Sequence, residues 1–88
     1  MLDEFDKLRE QLELQEWPNV YLFKFIIPNT PEKIAQVVQL FEDGADLRMQ
    51  PSKSSKYVSI SHKELMLDVD SIISKYKQAS NIEGLIAL

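Results

Sequence analysis

The chain has 88 residues, enough for one small domain, and its 44% hydrophobic and 27% charged residues are typical of a folded one. It has no cysteine, which excludes disulfides, thiolate nucleophiles and cysteine-ligated zinc, and its net charge of −4 disfavours a nucleic-acid partner. Because there is neither a run of about 20 apolar residues nor a basic, apolar leader, we expect a cytoplasmic protein with no membrane segment.

The first predicted element is an amphipathic helix within residues 1–16. Leu2, Phe5, Leu8 and Leu12 are spaced so that they form one helical stripe. The helix ends before Pro18, since the residue preceding a proline avoids the α region. We expect this helix to dock through its stripe onto a separate domain made of residues 17–88.

Residues 20–27 predict a central strand, because aromatic and β-branched residues are dense there. Alternate side chains point to opposite faces of a strand. We expect the aromatic face to meet the core and the face interrupted by a lysine to meet water or a partner. The core face has Tyr21, Phe23, Phe25 and Ile27, and the other has Leu22, Lys24 and Ile26.

A helix is predicted next, with Thr30 as its N-cap and Pro31 in its first position. Gly44 is the expected C-terminal stop, because glycine accepts the left-handed conformation at little cost. The predicted core stripe of this helix contains Ile34, Val37, Val38 and Phe41.

Two strands follow. Residues 45–50 alternate apolar with polar side chains, which predicts a half-buried strand with Ala45, Leu47 and Met49 inside. Pro51 restricts this strand to edge pairing. Residues 51–56 form a polar connection, and a second central strand runs from Tyr57 to residue 65 or 66.

The last helix is predicted to start at the N-cap Asp68, with a core stripe of Val69, Ile72, Ile73 and Tyr76. A final strand lies within residues 81–88. The order is a helix followed by β-α-β-β-α-β. It predicts an α+β, ferredoxin-like sandwich, in which two helices cover one face of a four-stranded antiparallel sheet, plus the extra N-terminal helix.

Several runs resemble the YbeD-like family of small bacterial proteins of unknown function. They are Trp17-Pro18, YLFKFI at 21–26, EKIAQV at 32–37, SKYVSIS at 55–61 and YKQASNIEGLIAL at 76–88. The resemblance implies a ferredoxin-like domain similar to the ACT regulatory domains, which bind small molecules between subunits. It implies no catalytic residue. The loop 28–31 has two prolines and lacks the glycine of true ACT domains, which argues against amino-acid binding in the ACT manner.

Catalysis is not expected. His62 is the only histidine, and strand periodicity points it away from Ser59 and Ser61, so no nucleophile meets a base. His62 and Glu64 alone are too few for a metal site. Residues 52–56 lack the glycine of a phosphate loop. We therefore expect neither an enzyme nor a bound cofactor.

The candidate interaction surface is the sheet face opposite the helices, with Leu22, Lys24, Ile26, Tyr57, Ser59 and Ser61. The sequence predicts a regulatory module that senses a ligand or binds a protein, and a homodimer is one candidate assembly. RNA binding on this face is the alternative, because RNA-recognition domains share the layout. In another alternative, the N-terminal helix covers the face.

Overall fold

The computed structural model describes residues 5–42 and 46–88, so the predicted roles of Leu2, Gly44 and Ala45 lie outside the described residues. Seven elements follow one another in these ranges. They are α1 (Asp6–Glu13), β1 (Asn19–Pro28), α2 (Pro31–Val38), β2 (Arg48–Pro51), β3 (Tyr57–Met66), α3 (Val69–Ala79) and β4 (Ile86–Ala87).

The four strands form one antiparallel sheet in the order β2-β3-β1-β4. β1 and β3 pair along their full lengths, from Asn19 opposite Met66 to Pro28 opposite Tyr57. The prediction that these two strands are central is confirmed, as is the edge position of the strand that contains Pro51. The protein is thus an α+β structure with an open sheet and three helices, compatible with a ferredoxin-like fold.

The hydrophobic core lies between the helices and one face of the sheet. Phe23, Phe25 and Ile27 of β1 are fully buried, which confirms the predicted core face of this strand. The ring of Phe23 lies 5.6 Å from that of Tyr76 and 5.7 Å from that of Phe41. These aromatic side chains join buried residues of all three helices in one cluster, namely Leu12, Val37, Ile72, Ile73, Tyr76 and Ala79.

Helix α1 packs against α3 on the core side of the molecule. Leu12 is buried in the shared core, and the indole Nε1 of Trp17 donates to the Leu12 carbonyl oxygen at 2.8 Å. Arg9 forms an ion pair with Asp70 of α3 at 2.5 Å, and this hydrogen bond raises the pKa of Arg9. Because α1 lies beside α3, it does not cover the opposite face of the sheet.

Helix α2 is shorter than predicted. It ends at Val38, and the amides of Leu40 and Phe41 then donate to the carbonyls three residues earlier, which replaces the α-helical pattern with a tight turn. The turn still brings Phe41 into the core, but Val38 is exposed. The predicted stripe was therefore right for Val37 and Phe41 and wrong for Val38.

The prediction of a half-buried strand at residues 45–50 was right for Leu47, which packs against the core, and wrong for Met49. Strand β2 itself begins at Arg48 and is exposed at every position. Met49 faces the core side opposite Ile60, yet 45% of it is accessible. The reason is the place of β2 at the outer edge of the sheet. Side chains there are covered from one side only.

The last strand is also shorter than predicted, with only Ile86 and Ala87 paired to β1. Residues 80–84 form turns, in which Ile82 is buried and Gly84 has a φ of +84°. A Cβ on Gly84 would lie 3.1 Å from the Pro28 ring, so the turn packs tightly on the end of β1.

Helix α3 begins directly after the predicted N-cap Asp68, whose carboxylate accepts hydrogen bonds from the Ser71 amide and hydroxyl, both at 2.8 Å. These bonds lower the pKa of Asp68. A lowered folded-state pKa means that the cap stabilises the protein above the carboxyl's unfolded pKa of about 3.9. That stabilisation is lost as the pH falls through the folded value.

Replacing the cap in Asp68→Ala should lower Tm by roughly 4–8 °C at pH 7, because an N-cap is removed. Thermal melts followed by circular dichroism measure the difference from wild type, which should shrink below about pH 4. Asp68→Asn is the control, since its amide oxygen can still accept, and it should lose less. An equal loss in both variants at pH 7 would contradict the capping role.

Candidate functional site

The face of the sheet that points away from the core is called the open face. Its members follow from strand alternation and from the pairing of neighbouring strands. Leu88 joins it because its amide donates to the Lys24 carbonyl at 2.9 Å. The open face comprises Val20, Leu22, Lys24, Ile26, Pro28, Arg48, Gln50, Tyr57, Ser59, Ser61, Lys63, Leu65, Ile86 and Leu88.

All six residues of the predicted interaction surface lie on the open face. Leu22 is 49% exposed and Tyr57 is 48% exposed. Ile26, Ser59 and Ser61 are half-buried within the sheet, and Lys24 is exposed. The register places Ile26 opposite Ser59 and Lys24 opposite Ser61, so these side chains are direct neighbours. Their role in binding stays a prediction.

The structure adds open-face residues that the sequence reasoning missed. Val20 and Leu65 are opposite each other and exposed, and Lys63 is opposite Leu22. The alternation could have found all three, because it continues to both ends of the two long strands. The alternation of residues 45–50 also puts Arg48 on the face away from the core, but its place opposite Ser61 depends on the register between β2 and β3.

The apolar part of the open face forms two exposed groups. Val20, Leu22 and Leu65 lie at one end of the β1–β3 pair, and Leu65 is 61% exposed. Ile86 of β4, which is opposite Ile26, and Leu88, which follows β4, form the second group. Apolar side chains collected on one face and surrounded by polar groups are typical of binding surfaces.

The charged side chains at the described positions of the open face are all cations, namely Lys24, Arg48 and Lys63. None of the three forms an ion pair with another residue of the described ranges. The chain as a whole has a net charge of −4. The open face is therefore a local positive surface on an acidic protein, and it attracts anionic groups.

His62 points from β3 toward the core side. Its Nδ1 lies 3.2 Å from the Asp46 carbonyl oxygen, and its ring packs against Phe41 with centroids 4.9 Å apart. Since a carbonyl only accepts, Nδ1 donates in this contact. Ser59 and Ser61 lie on the other side of the sheet, so the structure brings no serine to the imidazole.

The hairpin connection at residues 52–56 uses its polar groups internally. The amide of Ser52 donates to the Tyr57 carbonyl, and that of Ser55 to the Ser52 carbonyl. The amides of Lys56 and Tyr57 donate to the hydroxyls of Ser54 and Ser52. Because these donors are engaged within the loop, they do not converge on a phosphate. In the described ranges, no three potential metal ligands come together around His62 or elsewhere.

Tyr21 and Tyr76 share a hydrogen bond between their hydroxyls at 2.8 Å, at the margin of the core. Burial raises the pKa of Tyr76, and the bond to Tyr21 raises it further. The phenol therefore stays neutral, and this pair ties β1 to α3.

A cavity of about 310 Å³ opens where β2 begins beside the middle of β3. Its lining combines open-face residues with Asp46, which precedes β2, and with His62 of β3, which points to the core side. The lining residues are Leu22, Asp46, Arg48, Ser61, His62 and Lys63. The volume lies at the lower end of the range of small-molecule sites.

Comparisons with protein-family models, with curated proteins and with solved structures give no match. The resemblance to the YbeD-like family therefore stays a prediction. No helix in the described part of the chain is long and apolar enough to span a membrane.

Proposed function

We propose that this chain is a non-enzymatic regulatory domain of the cytoplasm that binds an acidic partner protein through its open face. The observation that carries the proposal is the composition of that face, which combines exposed aliphatic side chains with cations that form no ion pair with any described residue. The strand order β2-β3-β1-β4 and the helices on the core side support the finer assignment to the ferredoxin-like βαββαβ fold. The YbeD-like resemblance supports a bacterial regulatory module.

A partner protein fits this surface better than a second copy of the chain. Two open faces in direct contact would bring Lys24, Arg48 and Lys63 of each copy together, and like charges at an interface cost free energy. An acidic surface with apolar side chains offers the opposite sign and contacts for Val20, Leu22 and Leu65. A homodimer through the open face is therefore the weaker assembly.

RNA is also a weaker partner for this face. RNA-recognition domains stack bases on aromatic side chains of the two central strands. Here Phe23 and Phe25 are buried and Tyr21 is half-buried on the core side, so Tyr57 is the one aromatic ring at the described open-face positions. Cations without a stacking platform favour an acidic protein over single-stranded RNA.

The test is affinity capture with tagged wild type, Leu65→Asp and Leu14→Asp. Both leucines are exposed, by 61% and 87%, but only Leu65 lies on the open face. A carboxylate at position 65 would be buried against an acidic partner without compensation, so capture should fall at least about tenfold.

The Leu14→Asp variant should capture the same protein as wild type. Equal loss in the two variants, or a captured species that is RNA or the chain itself, would contradict the proposal. Circular dichroism melts of both variants establish that each remains folded.

A further inference from the structure

The cavity beside β2 presents two cations and a hydroxyl to the same space. Arg48 is opposite Ser61 in the β2–β3 pair, and Lys63 is two residues further along β3. Alternate residues on one strand share a face, so the three side chains are neighbours on the open face. Neither Arg48 nor Lys63 is paired with a described residue. Within the described ranges, both can therefore hydrogen-bond an anion.

The rest of the cavity lining is partly apolar. Leu22 lies opposite Lys63 and supplies an apolar wall. Asp46 is also part of the lining, and its backbone carbonyl contacts His62. The lining has two cations, Arg48 and Lys63, and one carboxylate, that of Asp46. The lining thus suits a molecule with one anionic end and a short apolar part.

We propose that this cavity binds a small organic carboxylate, with the carboxylate on Arg48, Lys63 and Ser61 and the hydrocarbon part on Leu22. Arg48 can bond a carboxylate through two parallel N–H groups, which makes it the stronger of the two cations. The volume of about 310 Å³ limits the ligand to a small molecule.

The site also suggests how the domain is regulated, and this step rests on the proposed function. Leu22, Arg48 and Lys63 belong both to the cavity and to the open face. A carboxylate bound there neutralises the cations that would attract an acidic partner. The ligand and the partner therefore compete for one surface.

Binding is tested without any partner, so its failure is distinct from failure of the proposed function. Hexanoate and acetate are titrated into the ¹⁵N-labelled protein at constant ionic strength, with sodium chloride as the blank. Amide shifts should concentrate at Leu22, Arg48, Ser61 and Lys63. Hexanoate should bind several-fold more tightly than acetate, because only its chain is long enough to cover Leu22.

Arg48→Gln and Lys63→Gln should each weaken hexanoate binding about five- to tenfold, because each removes a charge-assisted hydrogen bond. Lys53→Gln is the control, since Lys53 lies in the exposed hairpin loop away from the cavity. The inference is overturned if the control weakens binding equally. It is also overturned if sodium chloride gives the same shifts, or if the shifts spread over all lysines.

Discussion

Replacing Phe23 by alanine should lower Tm by at least about 12 °C and leave a large unfolded fraction at 37 °C. Phe23 is fully buried, and its ring contacts those of Tyr21, Phe25, Phe41 and Tyr76. Truncating a buried phenylalanine costs about 3–5 kcal/mol, because apolar contacts are lost and a cavity remains. A domain of this size has little stability to spare, and each 1 kcal/mol shifts Tm by roughly 4–8 °C.

The matched control for Phe23 is its neighbour on β1. Leu22 points to the open face and is about half exposed. Leu22→Ala should therefore change the free energy of unfolding by less than about 1 kcal/mol. Calorimetry of Phe23→Ala and Leu22→Ala measures the loss of stability on the two faces of β1. Similar losses would mean that the open face is covered in solution, for instance by a second copy.

Reversing two charges on the open face should abolish partner binding. In Lys24→Glu with Lys63→Glu, an acidic partner meets two carboxylates in place of two cations. Repulsion at an interface costs several kcal/mol, so affinity for the protein captured by the wild type should fall at least about 100-fold. Surface plasmon resonance at two salt concentrations measures the affinity of each variant for the captured protein. The wild-type affinity should weaken as the salt concentration rises.

The control for charge reversal has the same net charge. Lys53→Glu with Lys56→Glu makes the same change on the hairpin side of the molecule, where both lysines are exposed. This variant should keep its affinity within about threefold. If the two double variants lose affinity equally, net charge alone governs binding, and the open face has no special role.

Strand alternation carried most of what the sequence could predict. The two-residue period of β1 assigns Phe23 and Phe25 to one face and Leu22 and Lys24 to the other, whichever strands lie beside it. The structure confirms this assignment. The N-caps Thr30 and Asp68 were also predictable, because a cap depends only on residues close by in the sequence. Each depends on contacts with residues three positions ahead, Lys33 and Ser71.

Features that depend on tertiary position could not be predicted in this way. Met49 alternates like a buried residue and is exposed because β2 is the outermost strand. Val38 fits the helical stripe, but α2 ends there and the chain turns to bury Phe41 instead. Arg48 enters the candidate site only through its pairing with Ser61. The register between distant segments is a tertiary property.

The most direct test of the proposed binding surface is site-specific photo-crosslinking in cells. A photoreactive residue replaces Leu65 in one variant and Leu14 in another, and the crosslinked peptides are sequenced. We expect position 65 to crosslink a protein segment rich in acidic and apolar residues, and position 14 to give no such product. Crosslinks from position 65 only to the chain itself or to RNA, or equal products from both positions, would contradict the account.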